Sequence, residues 1–205
     1  DRWQAEPIGG EIRPEIQAEV FRNSKLYEHF LRCVEVTHAS YLRIETIFKP
    51  QTSRPILTPE DLDRAATGSQ RMGYTFAVCY VAAKPVSGDA LNISVVVKNF
   101  GLAPFYYEWP VEFGIISADG KPIFAEKTRW SIAGILPNQT VIWSHVFYNV
   151  SQLCDEGYFF AIRVSNSIPN GSPVLFANEG QLPNGWLPLL ECPQRGEHFQ
   201  SNEKP

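Results

Sequence analysis

The spacing of apolar residues changes character near residue 70, and no single regular architecture accommodates both parts of the chain. Before that point apolar residues recur at helical spacing. Tyr27, Phe30, Leu31 and Val34 fall at i, i+3, i+4 and i+7, and Ile16, Val20 and Phe21 lie on one side of a segment opened by Pro14. Ser24 is the expected N-cap of the second of these helices. "LTPEDLDRAATG" carries full helix punctuation: Thr58 as N-cap, Pro59 in the first turn, acidic residues beside it and Gly68 just past the end. Short strands are expected in "RWQAEPIGG" and "EVTHASYL", so the order is strand, helix, strand, helix, with a proline-rich loop before the last helix.

Beyond residue 70 the helical period disappears. "GYTFAVCYV", "ALNISVVVKN", "WPVEFGIIS", "TVIWSHVFYNV", "YFFAIRVSN" and "PVLFAN" are β-branched and aromatic runs separated by turn signals such as "SGD", "ADGK" and "IPNGSP". In the second run Leu91, Ile93, Val95 and Val97 alternate with Asn92, Ser94 and Lys98, which predicts one buried and one wet face. The expected class is α+β: two βα units in residues 1–70, an immunoglobulin-like antiparallel β-sandwich in 71–192, and a polar, frayed tail in 193–205.

Two βα units cannot stand alone as a parallel sheet, because such sheets are covered on both faces and a complete (β/α)8 barrel takes ~250 residues. Either the units pack on the sandwich, or they are the last two of a barrel whose earlier units lie elsewhere in the polypeptide. The opening "DRWQAEP" has no basic or apolar leader character and reads as mid-protein, which favours the second arrangement.

Charge and composition narrow the partners. A net charge of −4 without a Lys/Arg cluster removes the attraction that nucleic acid requires, and no apolar run approaches the ~20 residues of a spanning helix. Sequons at Asn92, Asn138, Asn149 and Asn170 favour a secreted glycoprotein. Cys33, Cys79, Cys154 and Cys192 lack zinc-ligand spacing. They read equally well as buried thiols or as disulfides in any of three connectivities. No phosphate loop, metal motif or Ser-His-Asp spacing occurs, so no cofactor or metal is expected.

In order along the chain, "PIGGE", "HASYL", "QRMGYTF", "NFGLAPFYY", "TRW", "GYFFAIRV" and "PVLFAN" resemble the domain of unknown function 4832 family. That domain occurs at the C-terminal end of certain glycoside-hydrolase-like barrel proteins. The likeness runs from about residue 7 to residue 190, with one departure: Arg43 follows "SYL" where the resemblance implies Asn. It implies closing barrel units followed by a β-sandwich, and carries no established activity.

On that architecture Glu11 would stand at the C-terminal end of the penultimate barrel strand, where active sites are built. Many retaining glycosidases of this arrangement place a nucleophilic Glu there, ~5 to 5.5 Å from an acid/base carboxylate on another strand. Glu11 is therefore the candidate nucleophile, with Gly9 and Gly10 permitting close approach of a ligand. Arg13 is a basic neighbour that favours an ionised carboxylate, and His38, Ser40 and Tyr41 are candidate sugar-binding residues in the same cleft. Trp3 and Glu6 are further residues within reach of it. The second carboxylate is missing from residues 1–70, so the chain by itself is expected to be inactive, with the upstream barrel segment as its partner. On the sandwich, Tyr106, Tyr107 and Trp109, following Phe105, are sugar-stacking candidates, against the alternative that they pack within the fold. Trp130, Trp143 and Trp186 are expected in the core.

Overall fold

The computed structural model describes residues 1–17, 19–44 and 57–193 and the backbone of 202–204. The proline-rich loop before residue 57 and most of the polar tail lie outside the described residues. The chain divides into two compact units: Asp1–Tyr74 with Phe100–Tyr106, and Thr75–Asn99 with Tyr107–Pro205.

The first unit is built on a parallel strand pair. Strand β1 (Ile8–Glu11) runs beside β2 (Ala39–Arg43), with Gly9 opposite Tyr41 and Glu11 opposite Arg43. The expected first strand is shorter than "RWQAEPIGG", because Arg2–Gln4 closes into a 3-10 turn braced by an Arg2–Glu6 ion pair at 2.7 Å. The connection between the strands is helical: a turn after Pro14, then α1 (Glu19–Arg22) and α2 (Ser24–Thr37). Asn23, not Ser24, caps α2, since its Oδ1 accepts from the N–H groups of both Lys25 and Leu26.

Helix α3 (Pro59–Arg71) begins as its local chemistry dictates. Thr58 Oγ1 accepts from the Asp61 N–H at 3.2 Å while Asp61 Oδ2 accepts from the Thr58 N–H at 2.9 Å. It continues through Gly68 to Arg71, so Gly68 lies inside the helix rather than past it. The reason is packing: a Cβ at Gly68 would stand 2.6 Å from Phe30 Cε1, and the missing side chain lets α3 approach α2. Arg64 reinforces the contact by donating to the Phe21 carbonyl at 3.1 Å, while its own carbonyl accepts from the Tyr27 hydroxyl at 3.1 Å. The resulting core holds Ile12, Val20, Phe21, Phe30, Val34 and Ala39, with Leu42 and Met72 against it.

The second unit contains β3 (Phe76–Pro85), β4 (Ala90–Asn99), β5 (Val111–Ile116), β6 (Pro122–Lys127), β7 (Thr140–Tyr148), the short helix α4 (Val150–Leu153), β8 (Phe159–Val164), β9 (Leu187–Glu191) and β10 (Asn202–Lys204). They form two four-stranded antiparallel sheets, ordered β10-β3-β4-β7 and β6-β5-β8-β9. β4 alternates as its sequence dictates, with Leu91, Ile93, Val95 and Val97 buried. The two sheets meet where Phe113 of β5 stacks on Phe147 of β7 at 3.8 Å between ring centroids. Phe160 and Trp130 extend that aromatic layer, and Trp130 stacks on Trp143 at 5.4 Å.

Four elements of the second unit differ from expectation. "PVLFAN" forms no strand: Val174 makes one isolated bridge to Val164, and Asn178 then pairs its side-chain amide with both backbone groups of Val78, at 2.9 and 2.8 Å. A side chain thus takes the place of a strand partner at the irregularity between Val78 and Tyr80. β6 and β9 arise where no strand was expected. β10 lies in the segment expected to fray, yet pairs antiparallel with Val81–Ala83 of β3. The chain is therefore α+β with mostly antiparallel pairing, and among the described residues its parallel strands do not close a barrel.

Candidate functional site

The two faces of the parallel pair are chemically distinct. Gly10 looks toward Leu42, 3.8 Å from where its Cβ would be, and Leu42 packs on the helical core. The opposite face carries Gly9 and Glu11 from β1, with Tyr41 and Arg43 from β2, because side chains two apart on a strand share a face. The Tyr41 ring lies directly over Gly9, in the space a Cβ would need. Only glycine admits that contact. All four residues are exposed, Tyr41 to 58%.

Glu11 thus stands at the C-terminal end of β1, on the helix-free face, opposite Arg43 in the register. Arg13 is exposed just beyond the strand, and among the described residues no ion pair joins it to Glu11. The basic neighbour that the register supplies is Arg43. In the sequence Arg43 stands out only as a residue where the resemblance implies Asn, and the parallel pairing is what brings it opposite Glu11.

His38 occupies the other end of the strands. It ends α2 in the left-handed conformation, with φ of 51°, stacks on Trp3 at 3.6 Å and 11°, and bonds through Nδ1 to the Leu102 carbonyl at 2.6 Å. A carbonyl only accepts, so Nδ1 carries the proton in this bond. The Tyr106 hydroxyl donates to the Trp3 carbonyl at 2.7 Å and lies 3.4 Å from Ser40 Oγ. Trp3, His38, Ser40 and Tyr106 therefore knit together the N-terminal ends of β1 and β2. Three residue steps along a strand, roughly 10 Å, separate this cluster from Glu11. The structure brings Tyr41 to the Glu11 face and holds His38 away from it. Glu6 is occupied by Arg2.

Of the aromatic run, Phe105 is buried edge-on against Tyr74 at 5.0 Å, and Tyr106 is committed to Trp3. Tyr107 and Trp109 form a ring pair 6.2 Å apart and 26° from parallel, with Tyr107 57% exposed. Trp130, Trp143 and Trp186 are core residues. Trp186 fills the slot left by Gly114, where a Cβ would meet its ring at 2.7 Å, and the Arg163 guanidinium lies over that ring, 4.7 Å from its centroid. A cavity of about 290 Å³ opens between the sheets, lined by Phe113, Phe124, Phe147 and Phe160, with Glu126 and His145 3.5 Å apart at its polar side.

Three of the four sequon asparagines, Asn138, Asn149 and Asn170, are exposed turn residues with φ of 57 to 63°. Left-handed backbone selects asparagine for its own reasons, so turn chemistry accounts for these residues whether or not a glycan is attached. Asn92 lies near the start of β4 and accepts a hydrogen bond from Ser144 Oγ at 2.8 Å. Among the described residues no group of His, Cys, Asp or Glu is placed to hold a metal ion, and no helix is long and apolar enough to cross a membrane.

A scan of the chain against protein-family models returns no match, and a search of the curated proteins returns none.

Proposed function

We propose that this chain is the C-terminal part of a glycoside-hydrolase-like protein, in which the first unit supplies the closing βα units of a barrel and the second is an immunoglobulin-like sandwich that braces it. One observation supports this reading above others: the parallel pair is covered by helices on one face and open on the other, and the open face carries Glu11 at the C-terminal strand end. Parallel sheets are normally buried on both sides, and in a barrel the helix-free face looks inward. Further strands beside β1 and β2 would enclose Gly9, Glu11, Tyr41 and Arg43 in the interior rim.

In that setting Glu11 is the nucleophile that attacks the sugar's anomeric carbon, while a carboxylic acid from another strand protonates the departing oxygen. Water then releases the sugar, with the second carboxylate acting as base. Tyr41 offers a ring and a hydroxyl to the bound sugar, and Arg43 offers donors to its oxygens. The full-length polypeptide carrying Glu11→Gln tests the reading on chromogenic glycosides. Loss of turnover by orders of magnitude with substrate affinity retained agrees with it, and unchanged turnover contradicts it.

A second reading, a carbohydrate-binding module without catalysis, is favoured by the Tyr107–Trp109 ring pair, of which Tyr107 is exposed and Trp109 half-buried, since aromatic faces suit sugar rings. It requires that the whole chain be retarded in affinity gels containing polysaccharide and that Tyr107→Ala abolish the retardation. Equal mobility of both proteins across the glycan panel excludes it.

A further inference from the structure

Cys154 and Cys192 are 2% and 5% exposed, and both belong to the second unit. The β8–β9 ladder puts Phe159 opposite Glu191, and one step further the Cys192 N–H donates to the Tyr158 carbonyl at 2.8 Å. Tyr158 closes a turn on Asp155, its N–H bonding the Asp155 carbonyl at 3.1 Å, and Cys154 is the residue immediately before that turn. The ladder therefore brings the end of β9 that carries Cys192 against the turn that follows Cys154, and the two buried thiols are close enough for Cys154 to act on Cys192 electrostatically. Cys33 and Cys79, in contrast, are exposed and belong to different units.

We propose that Cys154 and Cys192 form a disulfide when the chain folds in an oxidising environment, which excludes the two connectivities that pair either of them with Cys33 or Cys79. The bond would close a loop of roughly 40 residues, long enough for a substantial entropic effect on the unfolded chain. That loop contains the irregular stretch 165–186, whose anchorage to β8 includes the single Val164–Val174 bridge. The chemistry is thiol–disulfide exchange with a small-molecule disulfide such as oxidised glutathione. One cysteine thiolate attacks the glutathione disulfide, releasing one glutathione thiolate and leaving a mixed disulfide. The second cysteine thiolate displaces the other glutathione as its thiolate. The two cysteine protons go to the two released thiolates, and two electrons pass from the cysteine pair to glutathione.

The neighbouring Cys154 thiol and burial both push the Cys192 thiol above its ordinary range. A neutral buried thiol is a poor nucleophile, so the exchange belongs to the folding chain, before β9 closes over Cys154.

The full chain, reduced and unfolded in denaturant, is refolded in a glutathione redox couple, digested without reductant and mapped by mass spectrometry. The expected product is a joined peptide pair holding Cys154 and Cys192, lighter than its separated peptides by two hydrogens. Alkylation of all four cysteines after refolding, or linkage of Cys154 or Cys192 to Cys33 or Cys79, would overturn the assignment. Melting supplies a second readout. Reductant should lower the melting temperature of the oxidised chain by on the order of 10 °C and leave the Cys154→Ser, Cys192→Ser chain unchanged. A wild-type chain whose melting ignores reductant contradicts the bond. The mapping uses no variant, so it decides the matter even where the double serine chain fails to fold.

Discussion

Replacing Gly68 with alanine sets two effects of opposite sign against each other. Gly68 sits in the interior of α3, where alanine is favoured over glycine by about 1 kcal/mol through backbone entropy. Against this, the new Cβ would stand 2.6 Å from Phe30 Cε1 and 3.2 Å from Cζ, where carbon atoms prefer about 3.5 to 4.0 Å. Phe30 cannot swing aside freely, since it is 8% exposed and held between Phe21, edge-on at 5.7 Å, and Tyr27, stacked at 6.1 Å. Overpacking of this kind costs about 1 to 3 kcal/mol, so the clash should outweigh the propensity gain and leave a net loss near 1 kcal/mol. In a Phe30→Leu background the ring edge is gone, and the same alanine should stabilise by about 1 kcal/mol, a coupling of roughly 1 to 3 kcal/mol between the two sites. Urea unfolding followed by helical circular dichroism reads this cycle, because α1, α2 and α3 all lie in the first unit. Gly68→Ala stabilising the wild-type chain, or additivity of the two changes within about 0.3 kcal/mol, would refute the packing argument.

Asp61 gives a pH dependence. The Thr58 N–H above all holds its carboxyl below the ordinary carboxylate range; burial, second in size, opposes it, and the Thr58 hydroxyl and Arg22 add lesser support. Its contribution to stability should be complete above a pH of about 4 and fade as pH falls through the lowered folded value, and Asp61→Asn should flatten that acid limb in urea midpoints taken across pH. For His38 the expected role is structural: His38→Ala should destabilise by about 1 to 3 kcal/mol by removing the Trp3 stack and the Leu102 bond while keeping the positive φ. His38→Gly should recover about 1 kcal/mol of that loss. Neither should alter glycoside turnover of the folded full-length protein, and a fall in turnover without a fall in melting temperature would place His38 in the site after all.

The parts of this fold that were legible in the sequence are those whose causes are local. Thr58, Pro59 and Asp61 announce α3 within four positions, and the alternation through Leu91 to Val97 announces β4. The end of α3 was not legible, because Gly68 answers to Phe30 and not to a turn. β6 was obscured by exposure along an edge strand, and β9 by Pro188, which an edge strand tolerates beside an irregular register. "PVLFAN" has the composition of a strand, but it pairs with Val78 through the Asn178 side chain, which no period encodes. The candidate site divides the same way. "GGE" marked an unusual rim, but which face Glu11 occupies depends on Tyr41 lying over Gly9, thirty-two positions away. The cluster that occupies His38 joins Trp3 to Tyr106 across 103 positions and left no local trace.

On the proposed function, Glu11 attacks a sugar from the inward face of a completed barrel. Trapping tests it most directly: the full-length polypeptide is incubated with an activated 2-deoxy-2-fluoro glycoside, which slows release of a glycosyl-enzyme intermediate, and the labelled peptide is sequenced by mass spectrometry. The account predicts a stable sugar adduct on Glu11, lost in the Glu11→Gln protein. An adduct on any other carboxylate, or continued turnover of glycosides by the Glu11→Gln protein, would contradict it.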